Sequence, residues 1–141
     1  MPDTESREQI LATINEYVQK FGAERDLDLA PLDDDGVTRI QRGSAVVSIH
    51  AVPEQGVLLL LSKVMDVPAD NREGLYRRLL ELSFLATGDA AFSINKKSDE
   101  VYLRCLRNLE GLSYDEFEDM VHTIATVADT WDDKLKNEFG G

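Results

Sequence analysis

A single cysteine, Cys105, in 141 residues leaves no partner for an internal disulfide, so the fold must rest on packing alone. No window approaches the roughly 18 apolar residues that a membrane helix needs. The polar start MPDTESREQI lacks the charged-then-apolar pattern of a secretory leader, and the expected compartment is reducing, soluble and cytoplasmic. Positive charge is also scarce. Fifteen Lys and Arg face 27 Asp and Glu, for a net charge of −12, which repels nucleic-acid phosphates and anionic lipid. Nucleic acid and membranes are therefore not expected partners.

Catalytic patterns are missing as well. There is no GxxxxGKS, GxGxxG or GxSxG, so phosphate cradling and acyl transfer lose their usual support. His50 and His122 lie far apart, without HExxH or CxxC spacing, and each reads as a solvated side chain. Cys105 has no nearby histidine and reads as a small strand hydrophobe. Asp33-Asp34-Asp35-Gly36 lacks the later ligands of a calcium loop, and Asp132-Asp133 reads as solvated charge. No cofactor or metal is expected and the chain reads as non-enzymatic. An enzyme with unrecognised site spacing is the residual alternative.

What is present is 43% hydrophobic content, enough for one domain spanning 1–141, with residues 1–3 and 137–141 expected to fray. The acids are uneven. Residues 1–35 carry 10 acidic and 3 basic side chains, residues 36–112 carry 9 and 10, and residues 113–141 carry 8 and 2. Solubility explains the acidic ends, and steering of a basic partner is the competing reading.

Ile10, Leu11, Ile14, Tyr17, Val18 and Phe21 form one stripe of a helix over 4–21, with Thr4 or Ser6 as cap and Gly22 as stop. A polar connection follows, containing Pro31. Three strands over 37–42, 45–52 and 57–65 make an antiparallel meander through turns at Gly43 and Gly56. Val47, Ile49 and Ala51 alternate with Ser48 and His50, which implies one wetter face. The Val57-Leu58-Leu59-Leu60-Leu61 run suits a central strand covered on both faces.

Asp70 or Asn71 caps a helix reaching Thr87 before Gly88. Leu75, Leu79, Leu82 and Ala86 form one stripe of it, while Tyr76, Leu80, Phe84 and Leu85 lie around its circumference. That is more apolar cover than one sheet face needs, so either a second contact surface exists or all of it packs inside. A hairpin over 90–95 and 100–106 comes next. A last helix opens at Ser113, which stands at capping-box spacing from Glu116, and carries Phe117, Met120, Val121, Ile124, Ala128, Trp131 and Leu135 on one stripe. Trp131 reads as core rather than pocket lining. Arg77, Arg78, Arg104 and Arg107 either pair with local acids or meet an acidic stretch of a partner.

The expected architecture is therefore α+β, an antiparallel sheet of about five strands with three helices in the order α-β-β-β-α-β-β-α. This order, with the segments Leu79-Leu80-Glu81-Leu82-Ser83-Phe84, Gly88-Asp89-Ala90-Ala91-Phe92-Ser93-Ile94, Val101-Tyr102-Leu103-Arg104 and Leu109-Glu110-Gly111-Leu112 and the helix bearing Trp131, resembles the bacterial type III secretion chaperones of the CesT type. It is also similar to the YbjN-type domain.

The resemblance implies an acidic homodimer that binds an extended segment of a secreted polypeptide. The alternative it carries is a YbjN-like regulatory or stress-associated interaction domain. Carried over by position, Leu75, Tyr76, Leu79 and Leu82 are dimer-interface candidates. Ile14, Val18, Val47 and Ile49 are candidates for a client groove.

Overall fold

The computed structural model describes residues 4–140. Eight elements follow in order: α1 (Thr4–Glu24), β1 (Val37–Arg42), β2 (Ala45–Val52), β3 (Val57–Asp66), α2 (Arg72–Leu85), β4 (Ala91–Asn95), β5 (Glu100–Asn108) and α3 (Tyr114–Phe139). The strands form one antiparallel sheet in the order β1-β2-β3-β5-β4. The α2 crossover carries the chain past β5's position, so β4 becomes an edge and β5 returns to pair with β3.

Register decides which residues go inside. Ile40 faces Val47, Ile49 faces Leu60, and Leu60 faces Cys105, so these side chains share one face of the pleat. All four strands bury that face fully, with Ile40, Val47, Ile49, Leu60 and Cys105 no more than 2% exposed. Helix α3 lies across it, chiefly over β3, and presents Phe117, Met120, Val121 and Ile124. Helix α1 packs on α3 through Tyr17 and Phe21, whose rings meet Phe117 at centroid distances of 5.8 and 6.3 Å. Tyr17 also donates to the Leu112 carbonyl at 2.8 Å.

Several ends differ from expectation. Helix α1 passes through Gly22 to Glu24, and Asp26 rather than glycine takes the left-handed φ of 54°. Gly22 is needed for another reason. Its carbonyl accepts the N–H groups of Arg25 and Leu27, and a Cβ there would stand 2.8 Å from the Leu27 carbonyl oxygen. Thr4 is already helical, so Ser6 lies within the helix, and the capping position and residues 1–3 fall outside the described residues.

Asn71 precedes α2 in a left-handed conformation without a side-chain capping bond, and α2 stops at Leu85, with Thr87 buried and donating to the Ala90 carbonyl. At the other end, α3 extends through residues 137–139, and the Gly140 N–H donates to the Lys136 carbonyl. Gly141 lies outside the described residues.

The start of α3 follows the sequence closely. The Ser113 hydroxyl accepts the Glu116 N–H at 3.1 Å, and Asp115 and Glu116 sit at the positive end of the helix. Asp132 differs. It is 7% exposed and accepts a hydrogen bond from Ser44 at 2.7 Å, pinning the β1–β2 turn to α3 rather than projecting into solvent.

Phe117→Ala should cost about 3–5 kcal/mol, because its ring fills the α1–α3 seam, whereas Ser113→Ala should cost about 1 kcal/mol for the lost cap. Urea unfolding midpoints of the two variants measure both.

Candidate partner-binding surface

Helix α2 is apolar on two sides. Leu75, Leu79 and Leu82 recur every three or four residues and turn inward, at 0%, 4% and 6% exposure. Away from that stripe Leu80, Phe84 and Leu85 stand 74%, 81% and 82% exposed, Leu80 and Phe84 on the opposite side and Leu85 at the helix end. Burying one such side chain is worth roughly 1.5–3 kcal/mol, so three left in water on adjoining turns forgo on the order of 5 kcal/mol. Arg77 and Glu81, an i,i+4 pair 3.7 Å apart, flank this face and with Glu73 line a shallow depression over Leu80 and Phe84.

The structure places both sets of candidates drawn from the resemblance in or against the chain's own core. Leu75, Leu79 and Leu82 are covered by the chain's own core, and Tyr76 is half-buried against it. The outward apolar residues of the same helix are the ones available to another chain. Ile14, Val18, Val47 and Ile49 are at most 2% exposed, because they occupy the face that α3 and α1 share with the sheet. None offers an open groove. Ile14 comes nearest, at the base of a depression that Ile10, Thr13, Leu109 and Leu112 also line.

A second open surface is the other face of the sheet. All three helices lie on the buried side, where the Arg78 guanidinium of α2 sits 5.6 Å from the Trp131 ring of α3. The alternate strand residues Ser48, His50, Leu59, Leu61 and Tyr102 consequently keep partial exposure, while Val46 and Leu106 are 46% and 44% exposed. The Val57-Leu61 run is thus covered on one face only: Leu58 and Leu60 are interior, whereas Val57, Leu59 and Leu61 are half-buried.

Burial holds the His50 imidazole below its ordinary value, and Arg39 adds to the effect. Burial likewise pushes the Cys105 thiol up, so it stays a neutral interior group.

Polar clusters elsewhere are already engaged. Arg107 pairs with Asp89 and lies near Asp119 and Glu116; Arg25 meets Glu118 at 2.7 Å, and Asp129 accepts from Ser44 at 2.6 Å. Arg25, His122 and Asp129 line one depression between α1 and α3. Of its charged groups, Arg25 and Asp129 are spent on these structural bonds. Among the described residues no group of three or more His, Cys, Asp or Glu is placed to hold a metal ion. No helix is long and apolar enough to cross a membrane.

The result is a one-sided sheet with three helices on its buried face and uncovered apolar surface elsewhere. The chain belongs to the Tir chaperone protein (CesT) family, whose model matches residues 16–132. Solved structures share the fold. The ExsC–ExsE complex matches with a TM-score of 0.73 at 20% identity, covering 89% of this chain and 95% of that one. The HopA1–SchA chaperone–effector complex matches at 0.68 and 13%, covering 90% and 97%. YbjN of E. coli, described as a putative transcription regulator, matches at 0.57 and 10%, covering 88% and 92%. No curated protein matches the chain.

His50 provides a test of the sheet face. Its folded-state pKa lies below the unfolded value, so its contribution to stability is fully present above about pH 6.5 and is lost as pH falls through the folded value. His50→Gln should flatten urea stability across that acidic window. Arg39→Gln should move the His50 NMR titration only part of the way back, since burial is the larger cause.

Proposed function

We propose that this chain is a non-enzymatic, cytoplasmic chaperone that works as a homodimer and binds an extended segment of a partner polypeptide. The observation that carries the reading is the outward face of α2, where Leu80, Phe84 and Leu85 stand in solvent although buried leucines occupy the same helix. Apolar area of this kind on a soluble acidic chain is best explained by a second protein surface. Membership of a chaperone family supports it, as do neighbours solved as chaperone–effector complexes.

The two open surfaces suit two tasks. The α2 face is compact, helical and apolar, which fits an isologous contact between two copies. The sheet offers half-exposed apolar side chains on a face that no helix covers, which can take up an extended chain without chemistry. The acidic exterior keeps the assembly soluble while this surface waits for its occupant.

A regulatory domain of the YbjN kind is the second reading, favoured by the shared fold alone. It predicts the same folded scaffold but no affinity for unfolded client segments.

Introducing Leu80→Asp and Phe84→Asp together should convert the dimer to monomer and leave helical content unchanged, because both positions are exposed in the single chain. Light scattering and circular dichroism read the two outcomes. A variant that keeps its dimer mass removes α2 as the interface. Leu79→Asp, by contrast, should unfold the chain, since it places a charge in the core.

A further inference from the structure

The uncovered sheet face differs in charge from the rest of the molecule. Arg39 lies opposite Ser48, Ser48 opposite Leu61, and Leu61 opposite Arg104, so one row runs straight across β1, β2, β3 and β5 on the outward side of the pleat. Its two ends are exposed arginines and its middle is a small hydroxyl beside a half-buried leucine. Among the described residues neither Arg39 nor Arg104 makes an ion pair, while Lys63 on the same face is engaged by Asp66 and Glu100 at 2.9 and 2.6 Å. Arg39, Ser48, His50, Leu61 and Tyr102 line a depression at this place.

A chain of net charge −12 thus leaves two cations unanswered on its one uncovered sheet face. The other arginines singled out by sequence have partners: Arg77 has Glu81, Arg78 has Glu138, and Arg107 has Asp89. Charge complementarity therefore selects what can lie on this row. Three strand spacings separate Arg39 from Arg104, about 14 Å. In an extended segment, residues i and i+4 project to the same side about 13 Å apart, with i+2 between them.

Resting on the chaperone reading above, we propose that the sheet face holds an extended client segment of the pattern acidic–x–apolar–x–acidic. The two carboxylates meet Arg39 and Arg104, and the apolar side chain between them covers Leu61. The arrangement supplies register as well as affinity, because a basic or shifted segment would meet like charge or leave an arginine unpaired.

The test uses three synthetic 13-residue peptides sharing one scaffold, with Glu-Ser-Leu-Ser-Glu, Gln-Ser-Leu-Ser-Gln or Lys-Ser-Leu-Ser-Lys at the centre. Each is titrated into the 15N-labelled full chain and followed by amide shifts, which register millimolar binding. The Glu peptide should bind about tenfold more tightly than the Gln peptide at low salt, two exposed pairs being worth that much together, with shifts centred on Arg39, Ser48, Leu61 and Arg104. The R39E/R104E chain should reverse the order and prefer the Lys peptide. Equal affinities for the three peptides, absence of Glu-peptide binding, or shifts confined to α2 would overturn the proposal.

A parallel titration with a reduced, unfolded protein separates this from the broader reading. If wild-type and R39E/R104E chains both hold it equally, the charge pattern is wrong and the chaperone reading stands. If neither holds it and no peptide binds, both fall.

Discussion

The pleat of the central strands is the constraint on which the rest depends. Because side chains alternate with a period of two, pairing Ile49 with Leu60 and Leu60 with Cys105 commits every second residue of β2, β3 and β5 to one interior face. A slip of one residue would carry Val47, Ile49 and Leu60 into water and bring Ser48, His50 and Leu61 under α3. The core tolerates no such exchange, since Ile49, Leu60, Leu103, Phe117 and Ile124 have no measurable exposure. With this register set, α1 and α3 are consumed by a single face. Among the described residues, no element covers the opposite face or the outer side of α2.

That imbalance links fold to function. A chain of this length could have used Leu80, Phe84 and Leu85 as interior, but α2 lies at the β4 edge, beyond the reach of a second layer. The energy forgone there becomes available on association. The sheet face works differently, with apolar groups only half in water and interleaved with Ser48, His50 and two unpaired arginines. A surface of that composition suits reversible capture of a segment better than permanent burial.

Much of this was legible in the residues. The Ser113–Glu116 cap and the stripe from Phe117 to Leu135 define α3 because a helix start and a 3.6 period leave local marks. Gly43 and Gly56 mark the hairpins, both at positive φ. The excess of apolar residues around α2 also marked a helix with more apolar surface than one face can bury, and Leu80, Phe84 and Leu85 are indeed exposed. Which side of each element faced inward was not legible. Periodicity reports that Leu75, Leu79 and Leu82 share a side, and that Ile14 and Val18 share another, without saying whether the chain or a partner covers it. Roles carried over by element therefore landed on buried residues, and the exposed apolar side of α2 became clear only once the core had taken its share. Asp132 was misread for a related reason. Its partner Ser44 is 88 residues away, and no local pattern announces such a bond.

The central claim is that one open surface is covered by a second copy and the other waits for a different polypeptide. Hydroxyl-radical footprinting of the free protein tests it directly. Leu80, Phe84 and Leu85 should be protected to the level of buried Leu75, while Val46 and Leu106 on the sheet label freely. Labelling of the α2 leucines and phenylalanine at their full single-chain exposure, or protection of the sheet residues in the absence of any other protein, would contradict the account.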